Sequence, residues 1–288
     1  MEKKKNNEKK ILVTGANGYL GKGIVKQLLD DGCHVIATDM TDKYIDRRAD
    51  IRCVDLFNLQ DPFDFFDKPD ILLHLAWRDG FVHSSINHVN DLPKHYDFIT
   101  KMINGGVKQV GVMGSMHEIG FYEGSINEST PANPQSLYGV SKNALRMLVE
   151  LECKENDVMF QWLRGFYIVG NTEDGSSIFS KIVQAVHQGE KEFPFTMGSN
   201  QFDFLDYSDF CKLVADEING IINICSGKPE KISDRVERFI TENHFDIKLG
   251  YGMFPDRPYD SKAIWGNNFK KKMIEKEKEY ENGSVFKK

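Results

Sequence analysis

Tyr138 and Lys142 stand four residues apart and carry the chemistry that this sequence indicates most clearly. On a helix, this spacing places both side chains on one face, close enough to interact. A free phenol has a pKa of about 10 and is a poor acid near neutrality. A neighbouring ammonium is expected to lower that pKa, which would make the tyrosine a usable proton donor and acceptor. We therefore predict proton transfer at Tyr138.

A glycine-rich turn, Gly15–Gly21, lies upstream, with glycines at its first, fourth and seventh positions. It follows the apolar run Ile11–Val13 and precedes a segment with helical periodicity. Glycines permit a tight turn and close backbone approach, and a helix N-terminus attracts phosphate. The spacing differs from the common G-x-G-x-x-G fingerprint, and an ordinary tight turn is the alternative interpretation. The strand–turn–helix context favours a dinucleotide site, and hence hydride transfer coupled to proton transfer.

Asp39 stands at the end of the second predicted strand. A carboxylate there accepts hydrogen bonds from a ribose hydroxyl and repels a 2′-phosphate. This favours NAD over NADP, although Lys43, Arg47 and Arg48 nearby leave NADP open. As an alternative, Asp39 caps the next turn.

Short apolar runs alternate with amphipathic segments over the first 170 residues. Strands without a polar face imply a parallel sheet that is covered on both sides. We therefore predict an α/β fold, a Rossmann-like doubly wound parallel sheet. The predicted strands are residues 11–13, 35–38, 51–54, 71–76, 110–113 and 160–164, and the predicted helices are 18–29, 92–102 and 136–152.

Beyond residue 166 the pattern is less regular, with helices predicted at 178–188 and 234–243. Residues 221–224 are apolar enough to return as a strand to the main sheet. We predict a smaller, discontinuous C-terminal substrate lobe rather than a tethered second domain. The dinucleotide-binding domain is assigned to residues 9–170 with a returning segment near 205–226, and the lobe to 171–204 and 227–288.

Composition excludes several classes of protein. A net charge of −6 over 288 residues argues against a broad nucleic-acid surface. The five cysteines show no C-x-x-C spacing, so we predict neither a metal site nor a disulfide framework. No stretch is long and apolar enough for a signal-peptide core or a membrane span, which favours the cytoplasm.

Together these residues resemble the extended short-chain dehydrogenase/reductase family, the NAD-dependent epimerases, dehydratases and ketoreductases that act on nucleotide sugars. The resemblance covers about residues 11 to 260. Its motifs are the dinucleotide turn at 14–21, the adenine-side pair Asp55-Leu56, the strand end His74–Trp77, the serine segment Gly114–Gly120, the Tyr138–Lys142 signature and the segment Leu163–Gly170.

The resemblance implies roles for these side chains. Ser115 would hydrogen-bond the reacting oxygen, Tyr138 would exchange its proton, and Lys142 would bind the nicotinamide ribose. Hydride arriving at a carbonyl carbon leaves alkoxide character on oxygen, so a hydroxyl donor and an acid must converge there. The implied cofactor-binding residues are Gly15, Asn17, Gly18, Tyr19, Leu20, Gly21, Asp39, Asp55, Leu56, Leu75, Ala76, Trp77, Asn90, Tyr138 and Lys142.

The sequence departs from the family pattern at the substrate end. Met116 and His117 stand where family dehydratases carry an Asp-Glu pair, and methionine cannot move a proton, so 4,6-dehydration is disfavoured. His117 is either an acid or base near the substrate or a structural hydrogen-bonding group. Trp77 occupies a usually small position and is expected to crowd or shape the nicotinamide end. The candidate substrate-binding residues are His117, Tyr167, Lys181 and Arg257.

Three functions remain open from the sequence. We favour an NAD(P)-dependent reductase of a 4-keto deoxy nucleotide sugar, with a nucleotide-diphosphate sugar as its partner. A nucleotide-sugar 4-epimerase that retains NAD is the close alternative. A redox-inert dinucleotide sensor is a third, against which Tyr138 and Lys142 argue. A homodimer formed through the helix of Tyr138 follows from the resemblance.

Overall fold

The computed structural model describes residues 9–170, 175, 177–214, 219–256, 261–268 and 272. The larger of its sheets has seven strands, and each strand is parallel to the strands it pairs with. The strand order is β11-β7-β5-β4-β1-β2-β3. The bounds are β1 (Lys10–Thr14), β2 (His34–Asp39), β3 (Asp50–Cys53), β4 (Ile71–His74), β5 (Gln109–Ser115), β7 (Met159–Gly165) and β11 (Gly220–Ile224).

Helices cover both faces of this sheet. Ile11 and Val13 on β1 belong to one buried apolar cluster, whereas Leu12 between them belongs to another. Alternate strand residues point to opposite faces, so each face has its own core, which confirms the doubly wound prediction. The helices are α1 (Tyr19–Asp30), α2 (Pro62–Phe65), α3 (Asn87–Gly105), α4 (Leu137–Glu155), α5 (Ile178–His187), α6 (Tyr207–Val214) and α7 (Ile232–Glu242).

A smaller five-stranded sheet lies outside the predicted pattern. Its order is β12-β10-β14-β6, with β8 paired to β10. A third buried cluster, which includes Phe179, Phe204 and Phe239, packs helices α5 and α7 against it. The bounds are β6 (Gly124–Ile126), β8 (Tyr167–Val169), β10 (Gln201–Asp206), β12 (Pro229–Lys231) and β14 (Ala263–Gly266), and β9 (Glu192–Pro194) pairs separately with β13 (Lys248–Gly250).

Most predicted elements agree with the structure to within a few residues. The exception is α3, which begins at Asn87 and carries Pro93 in its interior. The polar run at its start gives no apolar periodicity, so the sequence predicted a later beginning. Strand β11 lies at the edge of the seven-stranded sheet beside β7. The domain boundaries themselves stay a prediction.

Candidate active site

Three chain segments meet at one edge of the seven-stranded sheet. Gly15 follows β1, Leu75 follows β4, and Ser115 ends β5. Strand β4 pairs with both β1 and β5, and all three are parallel, so their carboxyl ends lie side by side. Ligands of open α/β sheets bind at this edge.

The glycine turn fits tightly against this edge. Gly15 has a φ of 68°, and a Cβ there would lie 2.7 Å from the Ala76 nitrogen. A Cβ on Gly21 would lie 2.1 Å from the Gly15 carbonyl oxygen. Helix α1 begins after Gly18 with no side-chain cap and no acidic residue in its first turn. These conditions suit a bound phosphate, because neither a side chain nor a negative charge competes for the first N–H groups.

The Asp39 carboxylate holds this turn. One oxygen accepts the Asn17 N–H at 3.0 Å, and the other accepts the Met40 N–H at 2.7 Å. Asp39 therefore has the capping role that was the alternative, with acceptor capacity left for a ligand hydroxyl. Asp55 likewise caps a 3₁₀ turn by accepting the Phe57 N–H at 3.1 Å. Asn90 lies exposed on α3.

The structure brings Ser115, Tyr138 and Lys142 together. Ser115 and Tyr138 share a side-chain hydrogen bond. The Lys142 Nζ atom lies 6.0 Å from the Tyr138 ring centroid and donates to the Met113 carbonyl oxygen at 2.8 Å. The same Nζ lies 3.8 Å from the centroid of the Trp77 indole, a cation–π contact.

The expected effect of Lys142 on the phenol is wrong. Burial raises the pKa of Tyr138 to about 12, while its hydrogen bond with Ser115 acts in the opposite direction. Burial also lowers the pKa of Lys142 to about 7. The ammonium lies closer to Trp77 than to the phenol ring, so desolvation outweighs its attraction for a phenolate. Tyr138 is consequently protonated at neutral pH.

Glu118 positions the serine segment, and the sequence analysis missed it. Its carboxylate is fully buried and accepts from Arg164 Nε at 2.7 Å and from Trp162 Nε1 at 2.8 Å. It also forms a capping box with Ser115, which fixes the turn that carries His117. No sequence pattern near Glu118 indicated that its hydrogen-bond partners, Trp162 and Arg164, would lie on β7.

Five of the eight histidines lie near the phenol or near Trp77, which contacts it; the sequence analysis named two of them, His74 in the strand-end motif and His117 at the substrate end. His74 and His95 continue a chain of hydrogen bonds that begins at Thr14, and His88 is hydrogen-bonded to Trp77. The rings of His83 and His117 contact the Tyr138 ring. Burial lowers the pKa of His95 to about 3 and that of His74 well below its usual value, so both rings are neutral. No sequence motif links these residues, because they come from the end of β4, the loop after it, α3 and the turn after β5. The five are His74, His83, His88, His95 and His117.

A shallow, open pocket lies beside Tyr138 and faces the five-stranded sheet. His117 and Tyr167, both predicted at the substrate end, line it, together with Met116. Lys181 is exposed on α5 and is not among the described residues that line the pocket. Arg257 falls outside the described residues.

Two kinds of feature are absent from the described residues. Across residues 9–170 and the later described ranges, no group of three or more His, Cys, Asp or Glu side chains has an arrangement that could hold a metal ion. None of the helices in these ranges is both long and apolar enough to span a membrane.

Comparison with known proteins gives three kinds of match. The model of the "NAD dependent epimerase/dehydratase family" matches residues 11–224. A curated relative from Aggregatibacter actinomycetemcomitans, dTDP-6-deoxy-L-talose 4-dehydrogenase (NAD(+)), is 39% identical over 267 residues, which are 89% of this chain and 98% of the relative.

Two solved structures share the fold at low sequence identity. UDP-N-acetylglucosamine 4-epimerase from Methanobrevibacter ruminantium superposes with a TM-score of 0.81 at 21% identity, covering 92% of this chain and 91% of that one. UDP-glucuronic acid 4-epimerase from Bacillus cereus, in complex with UDP-glucuronic acid and NAD, gives 0.77 at 18% identity and covers 92% of each chain.

Proposed function

This chain belongs to the NAD dependent epimerase/dehydratase family, an enzyme family of the short-chain dehydrogenase/reductase type, and we propose that it reduces a 4-keto-6-deoxy nucleotide sugar with NADH. The reverse reaction is the C4 oxidation for which the 39%-identical relative is named. The observation that carries the proposal is the contact between Ser115 and a protonated Tyr138, one helical turn before Lys142.

Each side chain has a role that its geometry suits. Ser115 donates a hydrogen bond to the C4 oxygen, and Tyr138 transfers its phenolic proton to that oxygen as negative charge develops. A phenol with a pKa of about 12 holds its proton at neutral pH, which is the form that reduction requires. Lys142, fixed by the Met113 carbonyl and the Trp77 ring, would bind the nicotinamide ribose.

The glycine turn and its neighbours fit a dinucleotide. The crowding at Gly15 and Gly21 excludes side chains from the turn, and the uncapped N-terminus of α1 is open to a pyrophosphate. Bound NADH would supply the hydride for C4. Asp39 at the end of β2 would accept hydrogen bonds from the adenosine ribose, and its charge disfavours a 2′-phosphate.

The residues at the substrate end of the site disfavour dehydration. Met116 faces the pocket with a thioether that cannot move a proton, so the chain has no second acid or base at that position for removing water. The proposed substrate is a 6-deoxy hexose carried by dTDP, because the 39%-identical relative is named for one. The Tyr167 ring stacks on Phe202 at 4.5 Å between centroids and forms part of the apolar wall of this pocket.

A nucleotide-sugar 4-epimerase is the second candidate, and it is favoured by two observations. A relative from Lactobacillus helveticus, 26% identical, is named UDP-glucose 4-epimerase, and one from Methanocaldococcus jannaschii, 25% identical, is named putative UDP-glucose 4-epimerase. Asp39 also favours NAD, the cofactor such enzymes retain. An epimerase would transfer the hydride of C4 to its retained NAD, which gives a keto intermediate, and would return it to the opposite face of C4 without consuming external NADH.

The deciding experiment follows NADH absorbance with a dTDP-4-keto-6-deoxy sugar. We expect stoichiometric consumption of added NADH and a product reduced at C4. Protein that retains NAD through purification and interconverts C4 epimers without net NADH consumption would support the epimerase instead. Failure to bind either dinucleotide would contradict both candidates.

We also propose that the protein is a cytoplasmic homodimer that pairs through α4. Exposed apolar side chains follow one face of that helix at helical spacing, and such a stripe is a common interaction surface. Light scattering should give twice the 33.0 kDa chain mass, and Met147→Glu should give the monomer mass. A monomeric wild type would contradict the proposal. The stripe comprises Val140, Met147, Leu148 and Leu151.

A further inference from the structure

The loop between β4 and α3 rests on the first turn of the helix that carries the candidate acid. The Tyr138 N–H donates to the His83 carbonyl oxygen at 3.1 Å. The rings of His83 and Tyr138 are nearly parallel, 10° apart, with centroids separated by 5.0 Å. His83 therefore covers one face of the phenol.

Side chains at the ends of the loop preset its conformation. The Asp79 carboxylate accepts hydrogen bonds from Ser85 Oγ and Asn87 Nδ2, both at 2.7 Å. The Val82 carbonyl accepts from His88 Nε2 at 3.0 Å. On its other nitrogen, Nδ1, His88 accepts the Trp77 indole N–H at 3.0 Å. The position of His83 is therefore fixed before a substrate arrives.

His117 meets His83 from a different segment. The two imidazole centroids lie 4.4 Å apart at an interplanar angle of 63°. The 3₁₀ turn that carries His117 is held by the capping box of Ser115 and Glu118. The His117 ring lies 6.1 Å from that of Tyr138, so two imidazoles from separate elements converge beside one phenol.

Both imidazoles line the pocket next to Tyr138, where the nearby wall also includes Met116 and Phe121. A sugar hydroxyl both donates and accepts a hydrogen bond, and the ring nitrogens of an imidazole are hydrogen-bonding groups. Sites built to hydrogen-bond a substrate hydroxyl discriminate against analogues that lack it. Within this pocket, the ring contacts place His83 and His117 next to the reacting centre.

We propose that His83 and His117 form an imidazole pair that recognises the C3 hydroxyl, the hydroxyl on the carbon adjacent to C4, and so determines substrate specificity. This inference rests on the proposed function, since it assigns the recognition of the sugar at the same site.

The test is a cycle that combines a variant with a substrate analogue. His83→Phe keeps a ring on the Tyr138 face and removes both nitrogens. With the 4-keto-6-deoxy substrate we expect kcat/KM to fall about 10- to 100-fold, the cost of an unpaired polar group. With the analogue that lacks the C3 hydroxyl, the variant and the wild type should differ little. The Kd for NADH should not change.

Controls separate recognition from folding. His34→Phe alters an exposed histidine at the opposite end of the sheet and should behave as wild type. If His83→Phe does not fold, His83→Gln retains a donor and an acceptor and should keep the preference for the C3 hydroxyl. The double variant, His83→Phe with His117→Phe, should lose no more preference for the C3 hydroxyl than either single variant loses, because the two rings act as a pair.

Equal losses of kcat/KM on both substrates, or no loss on either, would overturn the proposed recognition. If the wild type does not turn over the keto sugar at all, the proposed function fails first, and the inference falls with it. If the wild type turns over the keto sugar but the effect of His83→Phe does not depend on the C3 hydroxyl, the proposed function stands and only the role of the imidazoles is rejected.

Discussion

The seven-stranded and five-stranded sheets of this protein differ in how they are encoded. Each central strand of the larger sheet, such as β1 or β5, is a short apolar run in a chain that alternates strand and helix. In the smaller sheet, β10 pairs with β12 over residues 201–203, with β14 over 201–202, and with β8 over 204–206. The larger sheet can be predicted from local pattern, whereas the smaller one depends on pairings between distant segments.

The candidate site residues also differ in whether local sequence patterns could predict them. The glycine turn, Ser115, Tyr138 and Lys142 could be predicted because each belongs to a motif at the end of a strand or the start of a helix. Glu118, His83, His88 and His95 could not, because their partners lie on other elements. The electrostatic prediction also failed, since burial of Tyr138, which no sequence pattern reports, raises its pKa.

The first prediction removes chemistry while leaving both sheets intact. Tyr138→Phe deletes one hydroxyl, and we expect kcat to fall by about 10²- to 10⁴-fold, the range of a general acid. The Kd for NADH and the melting temperature should stay close to wild type. Tyr251→Phe, at an exposed tyrosine near β13, is the matched control. A Tyr138 variant with wild-type kcat would remove the proposed acid.

The second prediction breaks the link between the sheets. Glu118→Ala leaves the guanidinium of Arg164 buried without its carboxylate, and Arg164 also donates to the Asn127 carbonyl just beyond β6. We expect the free energy of unfolding to fall by about 3–5 kcal/mol in urea titrations. The matched Glu150→Ala breaks a surface pair with Arg146 and should cost about 0–1 kcal/mol. Similar losses for the two variants would show that burial of the Glu118 pair does not matter.

The third prediction separates the two regions. The buried Asp203 carboxylate accepts the Ser226 hydroxyl and the backbone N–H groups of Ser226, Gly227 and Gly266. Asp203→Ala leaves these donors unpaired, with an expected cost of about 1–3 kcal/mol.

Hydrogen exchange should locate that loss. Protection should decrease in β10 and β14 and persist in β1, while NADH still binds. Uniform loss of protection across both sheets would show that they unfold together, which would contradict the predicted difference between them.

The last prediction concerns the dependence of stability on pH. The pKa of Lys142 is about 7 in the folded protein, against an ordinary value of 10.5. Between these values the unfolded chain binds the proton that the folded chain has released, so stability should rise as pH increases over that range. Lys142→Met should lack this rise in calorimetry, whereas Lys26→Met at an exposed site should retain it. An identical pH slope in Lys142→Met and wild type would contradict the burial argument.

The most direct test of C4 oxidoreduction uses NADH deuterated at its transferable position with a dTDP-4-keto-6-deoxy hexose. Mass spectrometry and NMR of the sugar should show one deuterium, bound to C4, for each NADH consumed, and Tyr138→Phe should suppress its appearance. A sugar reduced at C4 that carries no deuterium from the added NADH, or recovery of only the keto sugar at every enzyme concentration, would contradict the proposed reaction.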